Sequence, residues 1–535
     1  MNTHFHRLLL LGERNMYRYM AACFCLIIGL FYFCSHEEIK NIDREPVIVL
    51  GAARDLAAGP KETYFTSSTL KVWEPLIGLS KDGRIEPKLA ISWENRNDSK
   101  EWIFHLRKDV IFHDGVPFNA KAVLANFERY QNMGLRATSY YYFTMDRIYP
   151  NFEKIEADDE YTVHLYFKNP VPLLPYRMVE WGSAMYSPKS FNAQTGDFEE
   201  NIAGTGPFRL IERKADEYVL LERNDTYYGE KAKTRRIKIR VIPSMDARYS
   251  ALRSGEIMGV LDLGGISPLM ARELERAGRF SISEQKSTIS HYISFNGTHF
   301  PFNDSRMKKA LNLAIDREKI VHYYFNDYGT STINFLNSLT PFSKIYPVLY
   351  DKKQAEQLAN DVIKGERVKV KFLLTRSSLE RYPYKVIAEF LQADLSSLGL
   401  DIEIQLADDM AASIMKQNGD YDMTIGIRGL DNLDPYRILY DFFDSKGTSN
   451  IRNNWGYKND QIDTLFSELH RATTFEEEKD IYQKIQDILI QDPAIVPLLE
   501  GKNIVVSSKK LKGYDASIYG ASLESIQWAQ KGEEG

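Results

Sequence analysis

A chain of 535 residues exceeds the usual reach of one hydrophobic core, so two or more lobes are expected. Its 44% hydrophobic and 26% charged residues are those of a globular protein, which argues against a disordered or fibrous chain. The net charge of −5 leaves no basic footprint, so no nucleic-acid partner is expected.

All three cysteines, Cys23, Cys25 and Cys34, precede residue 35. The body therefore has no disulfide framework, no thiolate metal site and no cysteine nucleophile. An apolar run from Met20 to Phe33 follows Arg14 and Arg18 and ends at Ser35-His36-Glu37-Glu38. It is shorter than the ~20 residues a bilayer span needs and suits a secretory leader, placed at 1–34. Cys34, directly after the run, resembles the lipid-modified cysteine of bacterial lipoproteins, although Phe31-Tyr32-Phe33 departs from the small residues that usually precede it. An uncleaved anchor is the alternative and leaves the body on the same side.

Beyond the leader, Pro46 to Gly51 reads as a short strand and Ser67 to Leu79 as a helix carrying Leu70, Val72 and Trp73. Glu101 to Phe112 alternates apolar and polar positions, Asp114-Gly115 makes a tight turn, and a helix starts near Pro117-Phe118. Val123, Leu124 and Phe127 share one face of that helix, from Ala120 to Tyr130. Tyr161 to Phe167 alternates as a half-buried strand. Gly204-Thr205-Gly206-Pro207-Phe208 is a turn whose glycines permit a tight backbone path; a phosphate loop would need Lys-Ser/Thr and a following helix, and has neither. Arg236 to Ile242 is a strand, Ala247 to Ser254 a helix closing at Gly255, and Ile289 to Phe302 a strand leading into a loop. Asp304 caps a helix from Arg306 to Ile315. Val368 to Leu374, Lys385 to Leu398 and Asp401 to Leu406 read strand, helix, strand. Thr474-Phe475-Glu476-Glu477 is a capping box opening another helix. Strands and helices alternate throughout, which argues for α/β lobes.

Several phrases, in order, resemble the peptide- and nickel-binding family (family 5) of extracytoplasmic solute-binding proteins of ABC importers. They are Glu74-Pro75-Leu76, Pro87 to Trp93, Glu101 to Val123, Gly204 to Phe208, Asn224 to Gly229 and Leu313 to Val321. The resemblance covers roughly residues 45 to 530. It implies an α/β, two-lobed clamshell of the periplasmic-binding-protein type (type II) with an inserted subdomain. One lobe would comprise residues 45–85, 205–288 and 495–530, the insertion 86–204, and the second lobe 289–494. Ligand would be held between the lobes and enclosed by hinge closure.

The same resemblance supplies candidate ligand residues. Asp431, in Asp431-Asn432-Leu433-Asp434-Pro435, matches the acidic residue that pairs with a peptide α-amine; a solvated loop aspartate is the plainer reading. Arg428 stands where the family usually has tryptophan and favours a carboxylate or phosphonate-like group. Arg136 aligns loosely with an arginine that holds a chelator's carboxylate, and Tyr140 offers an aromatic wall, against a packed tyrosine-rich helix. Arg376 and Trp181 are cleft candidates from their positions after strands. The ten histidines show no ligating spacing, so no protein metal site and no cofactor are expected. A nickel cargo would arrive as a chelate, helped at most by His291 or His299.

The expected function is a non-enzymatic, monomeric receptor that delivers a short peptide or similar zwitterion to an ABC permease in the membrane. Metal-chelate uptake is the runner-up. A secreted hydrolase would need a nucleophile with its base, and no Gly-X-Ser-X-Gly elbow is present. A signalling receptor would share the fold and differ in partner.

Overall fold

A computed structural model describes residues 46–57, 68–134, 145–179, 183–199, 201–430 and 432–530. The chain divides into a leading unit, Met1–Ile48, and a body, Val49–Gly535. Among the described residues no helix is long and apolar enough to cross a membrane.

Three larger sheets organise the body. A six-stranded mixed sheet runs in the order Gly329–Ser331, Ile495–Ser508, Phe280–Phe295, Met423–Arg428, Val368–Thr375, Leu400–Ala407. A four-stranded sheet is ordered Ile48–Ala52, Arg236–Val241, Tyr218–Arg223, Phe208–Lys214. A second four-stranded sheet is ordered Ala90–Arg96, Glu101–Leu106, Thr162–Phe167, Phe152–Asp159. The last is covered by the helix Ala120–Gly134, whose Val123 and Phe127 join Trp102, Phe104 and Leu165 in one core. Asn119 opens that helix by accepting from the Ala122 N–H at 3.3 Å. Gly115, at φ +86°, makes the turn before it.

The two longest strands, Phe280–Phe295 and Ile495–Ser508, connect separate cores. Their pairing begins at Phe280–Ser508 and ends at Ser294–Ile495. At one end Phe280, Ile504 and Val506 pack with Leu252, Ile257 and Leu274. At the other, Ile293, Phe295, Val496 and Leu498 join the core under Val370, Phe372 and Leu374. The ladder loses register between Lys286 and Ser290, where a bulge bends the pair.

Glu74 explains why the recurring phrases belong together. This buried carboxylate accepts from the Thr205 hydroxyl at 2.8 Å and the Tyr227 hydroxyl at 2.7 Å, and pairs with Lys88 at 3.3 Å. Gly204 and Gly206 pass so close to the chain at Lys71 and Val72 that any Cβ would lie 2.0–2.2 Å from a carbonyl oxygen. That excludes every residue but glycine from both positions. His113 is locked into the same turn: its Nε2 donates to the Gly206 carbonyl at 2.9 Å and its Nδ1 accepts from the Gly204 N–H at 3.3 Å. Burial lowers its pKa to about 4 and keeps it neutral.

The expected helix at Ser67 to Leu79 is not formed. A 3₁₀ turn, Ser68–Leu70, gives way to the short strands Glu74–Pro75 and Ile77–Leu79. Pro75 cannot donate within a helix, and Val72, Trp73, Leu76 and Ile77 are all buried, which a one-faced helix would not allow. The strand expected from Ile289 starts earlier, at Phe280, because the partner that extends it lies more than two hundred residues away. The helix Ser305–Ala314, capped by Asp304, and the capping box of the helix Phe475–Gln491 lie where the sequence places them.

Candidate solute-binding cleft

The bulged middle of the two long strands forms the floor of a cavity of about 800 Å³, lined there by Thr288 and Ile289. Arg54, Met245, Asp262, Arg381, Tyr382 and Leu430 also line it. The volume lies in the range of small-molecule sites, ~300–1,000 Å³.

Each wall is fixed by the local fold. Arg54 follows the strand Ile48–Ala52. Asp262 accepts from the Ala53 N–H and so ties that loop to the turn at Gly264-Gly265. Burial pushes the Asp262 carboxyl up, opposed by the Ala53 N–H and by Arg248, Arg54 and Arg381 nearby. Arg248 is committed to structure: Nε donates to the Gly265 carbonyl at 3.1 Å, and Nη1 to those of Ile242 and Pro243 at 2.6 and 2.8 Å.

Arg381 closes the short helix Arg376–Arg381 and faces that turn. A Cβ on Gly264 would lie 3.6 Å from both the Arg381 Nη2 and the Tyr382 hydroxyl. No described residue hydrogen-bonds the Arg381 guanidinium, and the buried Tyr382 hydroxyl has no partner either. Behind them Tyr382 stacks on Tyr384 at 5.4 Å and meets the edge of His291 at 4.9 Å. The His291 Nδ1 bonds the Tyr384 hydroxyl at 2.7 Å, and burial lowers the imidazole to about 3, so it is neutral.

A smaller recess adjoins this cavity through Gly429 and Leu430 and contains Arg428 and Asn432. Arg428 ends the strand Met423–Arg428, carries a buried Nε without a hydrogen-bond partner, and lies over the Phe442 ring at 6.0 Å. Next to it Arg177 forms an ion pair with Asp434. Asp434 also accepts from the Tyr436 N–H at 2.8 Å and the Tyr482 hydroxyl at 3.4 Å. Burial, with the Asp434 charge adding to it and Arg177 opposing, raises the Glu478 pKa to about 8.

Of the sequence candidates, the structure places Arg428 beside the cavity. Arg376 is exposed at the start of its helix and is not among the cavity-lining residues; the arginine that lines it is Arg381, at the other end of the same helix. His299 is bound to Asp422 at 2.8 Å, away from the cleft. Asp431, Arg136, Tyr140, Trp181 and Cys34 lie outside the described residues, although Leu430 beside Asp431, and Val179 and Ser183 flanking Trp181, line the cavity. Sequence reading missed Arg54, Asp262, Arg381 and Tyr382. The glycine pair Gly264-Gly265 after an aspartate was the available signal for one wall.

Residues 84–450 match the family described as bacterial extracellular solute-binding proteins, family 5 middle. A probable D,D-dipeptide-binding periplasmic protein, DdpA, of Escherichia coli K12 is 25% identical over 94% of this chain and 96% of its own. Among solved structures, the periplasmic binding protein DppA of Helicobacter pylori, in complex with the peptide STSA, aligns with a TM-score of 0.67 at 24% identity, covering 91% of this chain and 98% of that one. NikA of Brucella suis, in complex with Fe(III)-EDTA, aligns with a TM-score of 0.77 at 21% identity, covering 91% and 100%. These structures share the α/β, two-lobed clamshell fold. The chain belongs to family 5 of the bacterial extracellular solute-binding proteins.

Proposed function

We propose that the protein captures a short peptide or a similar zwitterion in the 800 Å³ cavity and hands it, without turnover, to an ABC permease in the membrane. The observation that carries this reading is the Arg381 guanidinium, turned into the cavity with no hydrogen-bond partner among the described residues. A cation facing a cavity in that condition is matched by a ligand carboxylate, which it can grip through two parallel N–H groups. Asp431 is the proposed anchor for the amine, supported by its neighbour Leu430 in the wall. Trp181 is a proposed aromatic wall and Arg428 a second cation at the side recess. The probable D,D-dipeptide ligand of DdpA and the peptide STSA bound to DppA support the same class.

The proposed lobes are residues 45–85 with 205–288 and 495–530, and 289–494, with 86–204 inserted. The two cores at opposite ends of the long strands support two lobes, with the bulge at 286–290 as a hinge. Val496 and Leu498, however, pack in the core of 289–494, so the returning strand crosses beyond residue 495, at Glu500 to Lys502 opposite that bulge. Export and attachment through Cys34 are part of the proposal; Cys34→Ser should release the protein from the membrane fraction.

Metal-chelate binding is the second reading, favoured by the presence of Arg54 and Arg381 in one cavity, which suits a ligand with several carboxylates. Mass spectrometry of ligand released from the purified protein, with metal analysis of the same sample, separates the two. Asp431→Ala should weaken peptide binding more than tenfold, about 1.4 kcal/mol. Unchanged calorimetric affinity would remove Asp431 from the site.

A further inference from the structure

A second, much smaller pocket adjoins the cleft at Arg381, and we infer that it receives the side chain of the residue whose carboxylate Arg381 holds and restricts that side chain to a methyl or hydroxymethyl group. The inference rests on the peptide reading above and concerns which peptides are taken.

The pocket has a volume of about 30 Å³. It adjoins the main cavity, with Leu263, Gly264, Ile289, Arg381 and Tyr382 lining both. Its far walls are Ile266, Phe325 and Ile504 with the ring of His291. A space of that size holds about one or two heavy atoms.

Three of the polar groups around it are already engaged. The Ser287 hydroxyl donates to the Gly501 carbonyl at 2.8 Å, Lys502 pairs with Glu284 at 2.8 Å, and the His291 Nδ1 bonds Tyr384. The Arg381 guanidinium and the unpartnered Tyr382 hydroxyl stand on the side shared with the main cavity. A mainly apolar recess, with Ile266, Ile289, Phe325 and Ile504 in its walls, beside the Arg381 guanidinium fits one end of a ligand, the carboxylate on the shared side and a small aliphatic group beyond it.

Its walls cannot yield easily. Phe325 packs edge-on to His291 at 4.9 Å, and His291 is held between Tyr382 and Tyr384. Phe325 also belongs to the main core, with Ile293 and Val321. A branched or aromatic side chain would have to displace packed rings, which close-packed interiors resist.

Calorimetry of the full chain with Gly-Gly, Gly-Ala, Gly-Ser, Gly-Leu and Gly-Phe tests this directly. Gly-Ala and Gly-Ser should bind at least tenfold more tightly than Gly-Leu and Gly-Phe. The variant Ile504→Ala, at the distal wall and away from the main cavity, should narrow that gap by admitting Gly-Leu. Equal affinities across the series overturn the inference while leaving the peptide reading intact. If no dipeptide or longer peptide binds and Fe(III)-EDTA does, the peptide reading falls and this inference with it.

Discussion

Arg177 and Arg381 each close a short helix, Leu174–Arg177 and Arg376–Arg381, and each stands near acidic side chains, yet their charges are settled in opposite ways. Arg177 is met inside the protein by Asp434, with Glu478 held beside the pair as a second carboxyl. Arg381 meets a cavity. Asp262 is close enough to feel its charge, but its hydrogen bond comes from the Ala53 N–H. The first arrangement is complete without a ligand and joins the segment holding Tyr176 to the helices holding Tyr436 and Phe475. The second leaves the guanidinium facing the cavity, without a hydrogen bond to any described residue. An arginine in a pocket therefore says little by itself; what distinguishes a strut from a binding group is whether a carboxylate of the same chain already faces it.

The contrast is easiest to break at Arg177. Arg177→Ala leaves the Asp434 carboxylate buried without its cation, a change that costs about 3–5 kcal/mol in such settings. Urea denaturation should show that loss. Stability within ~1 kcal/mol of the parent would mean the cluster is well hydrated and not a strut.

Arg381→Ala should act in the other direction. Unfolding should change little, since the side chain is exposed and no described residue hydrogen-bonds it. Peptide affinity should fall more than tenfold, about 1.4 kcal/mol or more. A variant that binds normally would shift the carboxylate site to Arg54 or Arg428.

Glu478 sharpens the contrast through pH. Its folded pKa of about 8 lies above the ordinary 4.5, so between those values the folded chain keeps a proton that the unfolded chain has released. This group's contribution to stability is full below 4.5 and declines as pH rises through about 8. Glu478→Gln cannot ionise and should flatten that decline. Parallel stability curves for parent and variant between pH ~5 and ~8 would show that Glu478 is ionised in the folded chain.

Much of this architecture was legible because local chemistry and global packing agree. Asp304 and the Thr474–Glu477 box set helix starts within a residue or two, since a cap needs only its own turn. The stretch from Lys71 to Leu79 misled because its apolar residues are buried on all sides, by Glu74's partners and by the glycines pressed against Lys71 and Val72. Nothing nearby in sequence reveals that enclosure. The same limit hid the site. Arg376 directly follows a strand, the usual place for a cleft residue, but a short helix carries the chain onward and delivers Arg381 instead. Asp262 and Arg54 meet only because two loops separated by about two hundred residues converge.

Arg376 is consequently the control, with the smallest effect expected. It lies five positions before Arg381 in the same helix, is exposed, and contributes to neither the ion cluster nor the cavity wall. Surface substitutions of this kind usually stay within ~0.5 kcal/mol. Arg376→Ala should therefore leave both unfolding and peptide affinity unchanged, under the same conditions in which Arg381→Ala loses affinity. Removing either arginine lowers the charge of the region equally, so long-range attraction of an anionic ligand would weaken alike in both variants. A difference between them isolates direct contact at Arg381. Equal losses would instead show that the cleft works through its overall positive potential, and the division between struts and binding groups would not hold for this helix.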